Sequence, residues 1–137
     1  MADEVSAAFK LSYELLHADA QLVAIVGDRI YRGTAPQGSI LYVLGSFMGG
    51  TDVPGLGVHR LMTTPLILWR VVRKGQANAD TATADSRMDA VLQNVSAAAS
   101  GGRRFSFRRE SPYERNYLDP ANNVWTEVGG YYRYHIS

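Results

Sequence analysis

The spacing of apolar positions changes several times along the chain, and each change marks an element. Over residues 4–18, Val5, Phe9, Tyr13 and Leu16 recur every three to four positions, the period of an amphipathic helix. Asp19 is placed to cap a short continuation, AQLVAIVG, which Gly27 ends by accepting a left-handed backbone. Turn formers then flank the apolar pair Ile30 and Tyr31, which reads as a brief strand, and ILYVLGSFM follows as a longer one. Residues 49–64 hold four glycines in their first nine positions and no sustained period, the pattern of a loop or the tip of a hairpin. LILWRVVR is the strongest strand signal, continuous, β-branched and aromatic, and is predicted to lie centrally in a sheet.

Beyond Gly75, Ala84, Met88, Val91, Leu92 and Val95 fall on one helical stripe, with Asp80 as the expected N-cap and the glycines at 101 and 102 as the stop. The remainder reads as strands: RFSFRRESPYER, a turn at LDPANN, VWTEV, a break at Gly129-Gly130, and YYRYHI. Helix, strands, helix, strands, without βαβ alternation, predicts an α+β fold: a single mainly antiparallel sheet packed against two helices, with a long projecting hairpin or loop. At 137 residues the whole chain, 1–137, is expected to be one domain.

Composition narrows the chemistry. Cysteine is absent, which removes disulfides, thiolate metal sites and a cysteine nucleophile, and fits a reducing cytoplasm. The N-terminus starts acidic and no apolar run reaches spanning length, so neither secretion nor membrane insertion is expected. His17, His59 and His135 lie in different elements without a second ligand type at metal spacing, so neither metal nor cofactor is expected. Gly55-Leu56-Gly57 lacks the strand context, third glycine and lysine of a phosphate loop. Asp85 and Asp89 stand four apart on a helix, the ordinary spacing of a solvated face, and no nucleophile sits in an elbow or triad motif. No enzyme is expected.

Charge is balanced overall, with a formal net of +1, yet RRFSFRRE concentrates four arginines in eight residues. As a strand it places Arg104, Ser106 and Arg108 on one face and Phe105, Phe107 and Arg109 on the other. The phenylalanines then belong to the core. A sheet that reads single-stranded nucleic acid would expose aromatics on its basic face, so a small nucleic-acid-binding module is the lesser reading. Arginine forks are suited to carboxylates on a second copy or another protein.

The layout resembles the tail completion or tail terminator proteins of tailed bacteriophages. Most of the likeness lies in residues 16–39, with D-x-x-L-x-x-x-V-G-D-R-I-Y from Asp19 to Tyr31 and then A-P-x-G, and the rest in the closing GGYYRYHI. Those proteins normally carry a proline leading into the next strand, where this chain has Ser39-Ile40-Leu41-Tyr42, and its glycine-rich 49–57 segment is a further departure. The resemblance implies a virion subunit, assembled in the host cytoplasm, that forms a homo-oligomeric ring, typically a hexamer. Such a ring caps the head-proximal end of the tail tube, ends tube polymerisation, meets the head-tail connector or stopper protein, and touches DNA only as DNA passes through its lumen. A head-side connector or stopper ring is the alternative in the same setting. On this reading Arg104, Arg108 and Arg109 form one interface patch, Asp85 and Asp89 (with Asp80) the other, and Asp52, Pro54, Leu56, His59 and Arg60 belong to a projecting loop that docks.

Overall fold

The computed structural model describes residues 2–54, 60–93, 95–100 and 102–137. Three helices, α1 (Ala2–His17), α2 (Ala20–Val26) and α3 (Ala79–Leu92), join strands β1 (Ile30–Arg32), β2 (Leu41–Pro54), β3 (Arg60–Lys74), β4 (Val95–Ser100), β5 (Arg103–Leu118) and β6 (Val124–Ile136). The strands form one sheet in the order β1-β2-β3-β6-β5-β4. Only β1 and β2 run parallel; every other neighbouring pair is antiparallel. The α+β architecture with one mainly antiparallel sheet is therefore as expected, and the helical layer has a third, short member.

Helices pack on one face of the sheet. Val5, Phe9, Leu16, Leu22, Val26, Ala84, Met88 and Leu92 from the helices meet Val43, Ile67, Trp69, Val71, Phe105, Phe107, Tyr132, Tyr134 and Ile136 from the strands in one buried cluster. The alternation of the strands supplies this: Ile67, Trp69 and Val71 are every second residue of β3. Phe9 meets Trp69 edge-on at 5.6 Å. The polar atoms taken into the core are paired, since Trp69 Nε1 donates to Tyr134 Oη at 2.9 Å and Ser12 Oγ lies 2.6 Å from the same hydroxyl. Burial pushes the Tyr134 phenol far above its ordinary range, so it stays a neutral hydroxyl in this network.

Local chemistry explains most boundaries. Asp19 caps α2 by accepting from Leu22 N at 3.0 Å, and Gly27 follows the last turn at φ +60. Asp119 holds the β5–β6 turn by accepting from the amides of Ala121 and Asn123 and from Trp125 Nε1, each at 2.9 Å. These hydrogen bonds, Trp125 first, keep its carboxyl below the usual range.

Three expectations are corrected. The N-cap of α3 is Asn78, not Asp80: its side chain accepts from Thr81 N while Thr81 Oγ1 accepts from Asn78 N, a reciprocal capping box. The helix stops at Leu92, and Val95–Ser100, read as its last turns, is a strand against β5. Alanine's helical preference yields there to ladder pairing at the sheet edge. Gly129-Gly130 does not break a strand but lies inside β6, where a Cβ on Gly129 would collide with the Trp69 carbonyl and with Arg70 Cα. Most of residues 49–64 is paired strand of a hairpin, one of the two forms expected: β2 and β3 hold one register from Gly50↔Pro65 to Val53↔Met62 after a bulge and shift again at Pro54↔Arg60.

Candidate assembly surfaces

The arginine strand alternates as its sequence requires: Phe105 and Phe107 are buried, and Arg104 and Arg108 are exposed on the face away from the helices. Phe107 stacks on Tyr134 with ring centroids 4.5 Å apart. Arg109 points with the phenylalanines and ends beneath α3. Its Nη1 lies 3.8 Å from Asp85 Oδ1 and 3.5 Å from Asp89 Oδ1, and its Nη2 donates to the Gly129 carbonyl at 2.6 Å. Tyr132 Oη donates to Asp89 Oδ1 at 3.1 Å. The four-residue spacing that looked like a solvated face thus turns both carboxylates onto the sheet. Burial, with the Asp89 charge adding to it against Arg109, raises the Asp85 carboxyl above its ordinary range. Asp85, Asp89 and Arg109 therefore meet within one chain, whereas Arg104 and Arg108 stand apart from that cluster.

The face away from the helices carries a second constellation that sequence reasoning missed. After a bulge at residue 110, β5 sets Tyr113, Arg115 and Tyr117 on that face, opposite Gly129, Glu127 and Trp125 of β6. Arg70 of β3 joins them: its Nε lies 3.0 Å from Glu127 Oε1, off the line of a hydrogen bond, and its Nη1 donates to Ser46 Oγ at 3.1 Å. Tyr113 Oη donates to the same Glu127 oxygen at 2.9 Å. Burial first, then this bond to Glu127, raises the Tyr113 phenol above its ordinary range. Tyr113 and Tyr131 pack edge-on at 5.8 Å, Tyr117 stacks on Trp125 at 6.5 Å, and the Arg115 guanidinium lies 4.6 Å over the Tyr117 ring. Arg133 is held by Glu110 Oε2 at 3.0 Å and by the Thr64 carbonyl at 3.1 Å. Leu44, Leu68 and Val72 are buried beneath these side chains although no helix covers them.

The signal lay in the alternation Tyr113, Arg115, Tyr117, which the bulge puts out of phase with Phe105 and Phe107. The aromatic and basic face sought near Arg104 and Arg108 thus exists farther along the same strand. Its rings pack in pairs, Tyr113 on Tyr131 and Tyr117 on Trp125, and the Tyr113 hydroxyl is engaged by Glu127, so it does not present a row of free stacking platforms.

The hairpin of β2 and β3 is the third surface. Thr63 Oγ1 donates to Asp52 Oδ1 at 2.8 Å, and Thr51 and Thr64 hydroxyls meet at 2.6 Å. Phe47 and Met48, at the bulge, are 45% and 48% exposed. Pro54 and Arg60 are placed as register partners; Leu56 and His59 lie outside the described residues. Beside the root of the hairpin, Phe9, Tyr13, Tyr31 and Trp69 line a depression of about 300 Å³, with Lys10 and Arg32 also in its wall. Among the described residues no group of three or more His, Asp or Glu side chains is arranged to hold a metal, and no helix is long and apolar enough to cross a membrane.

No protein-family profile and no curated protein sequence matches the chain. Among solved structures, a chain from the virion of a native gene transfer agent (GTA) particle superposes with a TM-score of 0.70, covering 97% of this chain and 97% of that one. The fold is shared. Identity over the superposition is 18%, so the likeness is one of architecture. Coverage of both chains nearly end to end means that the whole α+β architecture, not a part of it, has its counterpart in that chain.

Proposed function

We propose that this chain is a virion structural protein, a tail terminator that forms a homo-oligomeric ring, typically a hexamer, on the head-proximal end of a tail tube. There it ends tube polymerisation, presents a surface to the head-tail connector, and surrounds a lumen through which DNA passes; it does no covalent chemistry. The observation that carries this reading is the shared architecture with a virion chain over the full length of both. The phage-like pattern of residues 19–38, built into the α2 cap, Gly27 and β1, supports it independently. Removing the gene from the particle that encodes it is expected to give tubes of unregulated length and heads without tails in electron micrographs. Finished tails of normal length beside DNA-leaking heads would instead assign the chain to the head-side stopper ring. Normal particles would overturn both readings.

A further inference from the structure

Both ends of the sheet are open, and they differ. At one end β1 covers only Val43, Leu44 and Gly45 of β2. Gly33 N then donates to the Gly45 carbonyl and the chain turns away, leaving β2 from Ser46 to Pro54 with β3 on one side and, among the described residues, no strand on the other. The Val43 amide and the Gly45 carbonyl both point to the β1 side, so by strand alternation the backbone groups of Phe47 do too. Phe47 and Met48 are exposed beside this lane. At the other end lies β4, paired among the described residues to β5 alone. Its sequence, VSAAAS, carries neither charge nor proline, the usual means by which an edge strand is kept single.

Direction decides how such edges can meet. Four successive antiparallel pairings separate β4 from β2, so the two strands run in the same sense, as β1 does beside β2. A rotation that places copies head to tail around an axis along the strands preserves that sense. The β4 of one copy then enters the lane beside β2 of the next as a parallel strand, continuing the line that β1 begins. A two-fold pairing of β2 with β2 would be antiparallel and would close at two copies. Length also fits: the six residues of β4 span about 20 Å, within the roughly 30 Å of the free stretch of β2.

We infer that the free edge of β2, from Ser46 to Pro54, receives β4 of a second copy, so that the sheet runs on from subunit to subunit around a ring. This rests on the ring assembly proposed above and names the contact that closes it.

Because the chain has no cysteine, introduced pairs report on the contact directly. Cysteine at Phe47 or Thr51 is combined with cysteine at Ser96, Ala97, Ala98, Ala99 or Ser100. Whatever the register, β4 lies opposite Thr51, and one pair comes within the roughly 4.4–6.8 Å Cα separation a disulfide needs. Electron microscopy and light scattering of the wild-type chain provide the separate measure of ring formation. The expected result is rings of the wild type and, for at least one double variant, a non-reducing gel ladder from dimer up to the full ring, absent from the single variants. Rings without a ladder in any pair overturn the inference and leave the proposed function standing. Disulfide dimers formed by Phe47→Cys alone as fast as by the double variants overturn it in favour of β2–β2 pairing. A wild-type chain that stays monomeric overturns the ring and the inference together.

Discussion

Glu127 is only 6% exposed on a sheet face that no helix covers, because Arg70 and Tyr113 close over it and both address its Oε1. A buried ion pair of this kind draws little net stability from its charges, since each was taken out of water, but removing one partner strands the other. Glu127→Ala is accordingly expected to cost about 3 kcal/mol in urea unfolding, by leaving the Arg70 guanidinium without its counter-charge. Replacing both, as Arg70→Met with Glu127→Leu, is expected to recover most of that loss. A single variant within about 0.5 kcal/mol of wild type would mean that the pair is solvated in practice. Gly129 belongs to the same arrangement. Only a residue without Cβ lets β6 approach the Trp69 carbonyl so closely, and this approach sets Arg70 level with Glu127 and Tyr113.

Among the elements, α2 is too short to hold its place by helical propensity, and it is fastened at its N-terminus. Asp19 accepts from Leu22 N within α2 and from Arg87 of α3 at 2.6 Å, so one carboxylate caps a helix and ties it to the next. The Arg87 hydrogen bond is the chief reason its carboxyl lies below the ordinary value of 3.8. A depressed pKa contributes stability that is present above the unfolded value and lost as pH falls through the folded one. Asp19→Asn keeps an acceptor for the cap but loses the charge for Arg87. The variant is expected to be less stable by about 1 kcal/mol at pH 7, where Arg87 remains partly in solvent, with the difference shrinking as pH falls below 3.8 and on through the lowered folded value. A difference that persists unchanged into acid would show that the cap geometry, not the charge, was lost. Asp85 acts in the opposite sense: its raised pKa means that its contribution is greatest below 3.8 and declines as pH rises.

At this scale the sequence was legible wherever one local rule governed: the Asp19 cap, the Gly27 stop, the LDPANN turn, the continuous run of β3 and the alternation at the start of β5. It was not legible where a distant strand decided the outcome. Val95–Ser100 became strand because β5 offers an edge, and Asp85 and Asp89 turned inward because Arg109 waits beneath them. The Arg70, Glu127 and Tyr113 group draws on three strands, and a bulge separates its phase from that of the visible arginine cluster.

Across the whole molecule, the outer part of the β2–β3 hairpin stands apart from the core. The β6 ladder on β3 ends at Thr63↔Ile136, and among the described residues of the β2–β3 pairing beyond it, out to Pro54↔Arg60, none belongs to the buried cluster. Strand continued past the point where burial stops stabilises the fold little, so under the proposed function it is available for docking. Replacing residues 55–59 with Asn-Gly, a two-residue turn suited to joining antiparallel strands, is therefore expected to shift the thermal midpoint by no more than about 2 °C. The same variant, supplied in place of the wild-type chain during particle assembly, is expected to lower the yield of tailed particles at least tenfold while still forming rings under the microscope. The combination discriminates: rings that form and melt normally but fail to join place the tip at the contact with the tube or the connector. A subunit that melts well below its parent would assign the tip to folding, and one that joins tails at the wild-type yield would remove the hairpin from the docking surface altogether.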